Sequence, residues 1–153
     1  LDRRRRQPLV LSSNQQALQS VNPATDATTT YGPIDDVGCG PLAATAGVIW
    51  SVDGCTGAFY QLSAEGVEQL YLPSAGSPGG ITTRGSELWI SDDTAFDQNT
   101  FTGSNAVLEQ LDPLTGTLLR TVPIGGDAVD IASGFGDLWV YDAVANTIRR
   151  VTV

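Results

Sequence analysis

Three tryptophans recur in one setting, and that recurrence constrains the fold more than any other feature of the chain. Val48-Ile49-Trp50-Ser51-Val52-Asp53, Glu87-Leu88-Trp89-Ile90-Ser91-Asp92 and Asp137-Leu138-Trp139-Val140-Tyr141-Asp142 each place an aliphatic residue before Trp and an Asp three residues after it. A glycine precedes each segment, at Gly47, Gly85 and Gly136, and the tryptophans lie 39 and 50 residues apart. A second series, Leu18-Gln19-Ser20-Val21, Phe59-Tyr60-Gln61-Leu62, Leu108-Glu109-Gln110-Leu111 and Ile148-Arg149-Arg150-Val151, repeats at 41, 49 and 40 residues. Prolines 33, 73 and 123 form a third series with spacings of 40 and 50. The three series share one register, with a single insertion of about ten residues between Trp89 and Leu108. Self-similarity at this period is the mark of a repeat architecture, in which each unit buries its apolar face against the next.

Each unit reads as short strands. Apolar and polar residues alternate over Glu68 to Leu72 and Leu118 to Val122, and Gly, Pro, Asn and Asp punctuate the runs. Asn22-Pro23-Ala24-Thr25-Asp26 and Asp112-Pro113-Leu114-Thr115-Gly116 are turn sequences, where Pro presets φ and Gly accepts positive φ. No segment keeps a 3.6-residue apolar period, so helix is scarce. Four strands in about 40 residues is the composition of a propeller blade. The expected fold is therefore all-β, a β-propeller of about four blades, with a basic tail over 1–8 and repeat units of roughly 9–39, 40–78, 79–127 and 128–153.

Within a blade, the first strand is rich in small residues (Pro41 to Thr45, Gly80 to Thr83, Val129 to Ala132), as crowding around an axis requires. The Trp strand is second, the Leu18, Phe59, Leu108 and Ile148 strand third, and the strand before each proline fourth. The chain then starts on a second strand and finishes on a third, about fourteen strands with the first and last blades one strand short. Unpaired blade edges favour association with another chain, either a second copy or a different subunit. All three tryptophans are expected to be buried between blades. Because the chain starts at Leu1 and not at Met, it reads as a mature or cleaved product or as a piece of something longer.

Gly-x-Leu-Trp-Val, Leu-Asp-Pro-x-Thr-Gly and Thr-Val-Pro-Ile-Gly-Gly, best seen in residues 108 to 142 and weaker across 9 to 107, resemble the YVTN/NHL-like and streptogramin-lyase-like propellers. The resemblance implies a propeller of six to eight blades, of which this chain looks like about half. It also implies, for the streptogramin lyases, catalytic His with a metal. This chain contains no His, so that activity does not carry over.

Composition narrows function by what is missing. There is no His, Met or Lys, and all eight basic residues are Arg. The usual general base at neutral pH, the commonest transition-metal ligand, Schiff-base chemistry and the P-loop lysine are all excluded. No catalytic residue, metal site or cofactor is expected. The net charge of −9 is split, with Arg3, Arg4, Arg5 and Arg6 in one run and only four further Arg against sixteen acids beyond Asp2. Such a body is a poor nucleic-acid binder. No apolar run reaches the ~18 residues of a membrane span.

Loop acids Asp35, Asp36, Asp53, Asp92, Asp93, Asp97, Asp127 and Asp142 are expected on one face, free of Arg, with Arg84 and the Arg3 to Arg6 run on or near the other. For the repeated Asp53, Asp92 and Asp142 the turn-cap reading leads, because repetition tracks the fold. Asp92, Asp93 and Asp97 form the best cluster for a hard cation, against solvated loop acids. Phe96 and Phe101 in the insertion are candidate partner contacts, as is the Arg3 to Arg6 run, although both aromatics could fold back over the blade edge. A disulfide is expected between Cys39, entering the second blade, and Cys55, in its second-to-third turn. It would close a 15-residue loop worth about 3 kcal/mol and imply an oxidising compartment. The leading functional reading is a non-enzymatic binding or assembly module, secreted, periplasmic or at the cell surface, whose partner is another protein chain. The alternatives are a fragment of a lyase- or hydrolase-like propeller enzyme with its catalytic residues elsewhere, and a carbohydrate-binding propeller.

Overall fold

The alternating β-branched and aromatic runs become fourteen strands, and no helix occurs among the described residues. The structure is a computed structural model that describes residues 9–12, 17–31, 40–54, 56–63, 66–71, 76–97 and 99–153. Strands β1 (Leu9–Ser12), β2 (Ala17–Val21) and β3 (Thr28–Tyr31) form the first sheet. The second contains β4 (Leu42–Thr45), β5 (Val48–Asp53), β6 (Ala58–Ser63) and β7 (Gly66–Tyr71). The third contains β8 (Ser77–Arg84), β9 (Glu87–Asp97), β10 (Thr102–Leu111) and β11 (Leu118–Pro123), and the fourth β12 (Ala128–Gly134), β13 (Asp137–Asp142) and β14 (Thr147–Val151). Every sheet is an antiparallel meander in chain order. Four such sheets in sequence are propeller blades. The first and last are the three-stranded ones, β1 taking a second-strand place and β14 a third-strand place.

Register makes the repeat physical. Trp50 pairs with Ala43 and Gln61, Trp89 with Thr82 and Gln110, and Trp139 with Ala132 and Arg150. Because side chains alternate across a strand, each Trp shares a face with the third-strand residue two pairs further on, namely Phe59, Leu108 and Ile148. Trp50, Val52 and Phe59 pack with Ile81, Leu88, Ile90 and Leu111 of the third blade. Trp89 and Leu108 pack in turn with Ile131, Leu138 and Val140 of the fourth. Leu18 of the first blade packs with Ala58, Tyr60 and Leu62 of the second. Each blade therefore lays its tryptophan-type face on the aliphatic back of the next.

The small first strands sit innermost, as expected, and the reason is visible at one junction. A side chain on Gly79 or Gly80 would collide with the backbone of β12 around Ala128 to Ile131. Bulges between Pro78 and Gly80 and between Ala128 and Asp130 fall at the same place in consecutive blades, bending the inner strands where they converge.

One burial expectation needs correction. Trp50 and Trp89 are fully buried, but Trp139 is only half-buried. Its face meets no following sheet among the described residues, so Tyr141 and Ile148 beside it stand 39% and 70% exposed.

Candidate functional site

The second-strand aspartates close their strands from inside. Asp53, Asp92 and Asp142 are all buried, at 2%, 0% and 4% exposure. The Asp142 Oδ1 accepts from the Ala145 amide at 3.0 Å and the Asp127 amide at 3.5 Å, while its Oδ2 pairs with Arg149 at 3.2 Å. The turn-cap alternative therefore describes Asp142. The expectation of one strongly negative, Arg-free face is overturned, since Asp53, Asp92, Asp93, Asp127 and Asp142 are all folded into the body. Arg149 also reaches that end, donating to the carbonyls of Ile124 and Gly125 at 2.8 and 2.6 Å. Asp35 and Asp36 lie outside the described residues.

The cation cluster of Asp92, Asp93 and Asp97 is not assembled either. Asp97 sits far out on β9, exposed, where its Oδ1 accepts from the Asn99 amide at 2.8 Å. That local bonding holds its carboxyl below the usual range. Among the described residues no three His, Cys, Asp or Glu side chains converge as metal ligands.

Sequence reasoning missed the pairing that does form, Asp93 with Asp127. Both are buried. Burial pushes the Asp93 carboxyl up to about 7, assisted by its hydrogen bond to Asp127 and the nearby charges of Asp127 and Asp92, and opposed by the Ala128 amide. That amide donates to Asp93 Oδ1 at 3.1 Å and so ties β9 to the start of β12. Gly103 of β10 lies across both carboxyls, and a Cβ there would overlap Asp93. The desolvated site and the acids beside it favour the protonated form of Asp93 near neutrality. The only sequence signal was a glycine in an otherwise side-chain-rich strand. The pair is enclosed where blades 3 and 4 meet.

The opposite end carries Arg84, Arg120 and Arg150; Arg84 and Arg150 each pair with an acid, and Arg120 Nε donates to Gln110 Oε1 at 2.7 Å. Arg84 Nε donates to Glu87 Oε2 at 2.7 Å, and Glu87 also accepts from Trp89 Nε1 at 3.1 Å. The Arg84 contact leads in holding the Glu87 carboxyl low. The Arg120 guanidinium lies 4.9 Å from the Trp89 ring centroid and that of Arg84 5.7 Å, both within cation–π range. Arg150 Nε donates to Asp137 at 2.7 Å.

The insertion extends β9 and β10 past the blade as one hairpin. Thr94 Oγ1 donates to the Asn105 carbonyl at 3.0 Å, Ser104 Oγ to that of Ala95 at 3.3 Å, and the Thr100 and Thr102 hydroxyls meet at 2.7 Å. At the tip, Phe101 is 80% exposed and Phe96 is 41% exposed, so these aromatics are held outward and not folded over the blade edge. Arg3, Arg4, Arg5, Arg6, Cys39 and Cys55 lie outside the described residues. Among the described residues no helix is long and apolar enough to cross a membrane.

No family model matches the chain, and no curated protein matches it. The YVTN/NHL-like resemblance therefore stays unconfirmed at the level of family. Among solved structures, BamB from Moraxella catarrhalis superposes with a TM-score of 0.58 at 12% identity, covering 86% of this chain and 36% of that one. A luciferin-regenerating enzyme superposes with a TM-score of 0.55 at 18% identity, covering 83% and 44%. These likenesses agree with the β-propeller fold. The chain spans less than half the length of either protein.

Proposed function

We propose that this chain is a non-enzymatic propeller module that mediates protein–protein contacts outside the cytoplasm. The observation that carries this reading is the hairpin tip. Phe101 adopts φ of +53°, a conformation costly for a bulky residue and one that persists where the surroundings enforce it. Bonds at the tip flank it, between the Thr100 and Thr102 hydroxyls and from Asn99 to Asp97. A rigid exposed aromatic on a hydrogen-bonded stalk is a suitable interface anchor, because little entropy remains to be lost on docking. The lack of His and Lys supports a module without acid–base or Schiff-base chemistry of its own.

A photo-crosslinking residue at position 101, expressed in the native host, is expected to give one discrete adduct with a different protein. Phe96→Ser should weaken that adduct by at least ~10-fold while changing stability by under ~0.5 kcal/mol, the range of ordinary surface substitutions. No adduct, or a loss of several kcal/mol on Phe96→Ser, would assign the aromatics to the blade itself.

Location outside the cytoplasm rests on the proposed Cys39–Cys55 disulfide. Native chain purified without reductant is expected to resist thiol alkylation until it is reduced. Reduction should lower stability by about 3 kcal/mol. Prompt alkylation of both thiols in the native, unreduced protein would remove the support for this compartment.

A further inference from the structure

Among the described residues from 94 to 105, Gly103 alone is buried. The others stand in solvent, and within the described residues the two hairpin strands pair only with each other. β8 accompanies β9 as far as Ser77 opposite Asp93, and β11 accompanies β10 only from Val107 opposite Pro123. Beyond those rows the ladder consists of Ala95 with Ser104, Phe96 with Gly103 and Asp97 with Thr102. A two-stranded ribbon of this kind is marginal by itself in water. Its order therefore depends on the point where it is buried in the body.

That point is a pair of carboxyls. A side chain on Gly103 would overlap Asp93 Oδ2 and crowd Asp127 Oδ1, so only a bare Cα lets β10 lie on both. Strict alternation would turn position 103 away from them, because Asp93 pairs with Ala106, three residues along. Asn105, in the left-handed region at φ +56°, reverses that and brings Gly103 over the acids. Asn takes this conformation more readily than most residues. Gly103 is also the cross-strand partner of Phe96 and lies two residues from Phe101. The carboxyl seat and the exposed aromatics thus share one short ribbon.

Asp93 and Asp127 are both buried, and their side chains hydrogen-bond to each other. Carboxylates only accept, so that bond needs a proton on one of the two. The charged groups around them offer no substitute donor. Asp92 precedes Asp93 on β9 and is buried as well, and Asp142 of β13 accepts from the Asp127 amide. Arg149 of β14 is engaged by Asp142 and by the carbonyls of Ile124 and Gly125. Asp130 of β12 accepts from the Ile131 amide, and Asp97 lies at the exposed end of β9. β8 and β10 bring no charge to the pair, presenting Ser77, Gly103 and Ala106. An ionised Asp93 needs water, because a desolvated charge beside other acids is costly. The hairpin is the cover that costs least to lift, since its own pairs are all it loses. We infer that Asp93 and Asp127 form a proton-dependent seat for the aromatic hairpin, which is secured while Asp93 is protonated and loosened once it ionises. Burial and the neighbouring acids raise the Asp93 carboxyl to about 7, so the seat is firm in acid and is lost as pH rises through neutrality. Docking through Phe101 is then favoured on the acid side. That consequence rests on the reading of the hairpin as an interface anchor, whereas the seat itself does not.

Amide hydrogen exchange of the isolated 153-residue chain reads the seat. Amides between Ala95 and Ser104 are expected to exchange well before those of β5 and β6, which marks local opening. Corrected for the intrinsic rate at each pH, their protection should fall ~50-fold from pH 5 to pH 8, as one proton linked to opening dictates. Asp93→Asn gives Asp127 a permanent amide donor and should hold the hairpin equally protected at both pH values. Asp97→Asn alters an acid held below the usual range and should leave the wild-type fall in place. Equal protection of the wild-type hairpin at both pH values overturns the proposal, as does an Asp93→Asn chain that keeps the fall. So does a hairpin that exchanges only together with β5 and β6, or an Asp97→Asn chain that loses the fall. Should Asp93→Asn lose its near-ultraviolet tryptophan circular dichroism, Asp127→Asn replaces it, offering the same amide donor to Asp93, with the same outcomes required. No partner takes part in the exchange, so the seat and the adduct at position 101 can fail separately.

Discussion

Trp50→Ala and Trp89→Ala are each expected to cost about 3–5 kcal/mol, with Trp139→Ala in the monomer costing about half that or less. The size follows from what each indole touches. Trp50 is fully enclosed, stacks on Phe59 at 5.6 Å between centroids and packs against Leu88 and Ile90 of the next blade. Its removal leaves a cavity at a rigid junction and strips the Pro113 carbonyl of its donor, so transfer, cavity and hydrogen-bond losses add. Trp89 loses the same aliphatic contacts and its seat beneath two guanidinium groups. Trp139 has one side open, so less apolar area returns to water on truncation. Chemical denaturation of the three variants checks the ranking. Equal losses at all three would mean that the blade 4 face is covered within a single copy.

Stability should rise on acidification from pH 8 to pH 5, on the order of 2 kcal/mol, with Asp93 as the main source. The folded Asp93 carboxyl titrates near 7, above its value in the unfolded chain. A group raised on folding binds its proton more tightly in the native state, so its contribution is fully present below the ordinary carboxylate range and is lost as pH rises through about 7. The limiting slope is about 1.4 kcal/mol per pH unit. Asp93→Asn keeps an oxygen acceptor for the Ala128 amide while removing the charge, so it is expected to stabilise the chain at pH 8 and to flatten the profile. Asp137 works in the other direction. Arg150 holds its carboxyl low, so its contribution is present at neutral pH and is lost as pH falls through the carboxylate range. A maximum between these limits, measured by urea denaturation across pH, is the expected profile. An Asp93→Asn chain with the wild-type slope would locate the titration elsewhere.

The blade repeat was legible in the sequence because it is a local property. Alternation, turn residues and the motif around each of Trp50, Trp89 and Trp139 are written within some ten residues. Strand order within a sheet follows from the chain folding back on itself through short turns. The fourteen strands and the three-stranded first and last sheets match that reading, and the small residues of β8 and β12 mark the inner edge. The outward hairpin carrying Phe96 and Phe101 was half legible. The insertion showed where it lies, but only the cross-strand bonds of Thr94 and Ser104 decided that it stands clear of the blade.

What the sequence could not decide was the fate of individual charges and faces. Asp93 and Asp127 are 34 positions apart and meet only because β9 and β12 belong to neighbouring blades, with Gly103 leaving space between them. Loop acids that looked solvated are buried, because the turns close inward and supply amides such as those of Ala145 and Ala128. Equivalent motifs around Trp50 and Trp139 end in different environments, since burial depends on the sheet laid against them. The chain by itself determined the blade and its repeat, through local periodicity and turn chemistry. Tertiary structure decided which carboxyls meet in the interior and which tryptophan is only half-buried, because both depend on contacts between blades.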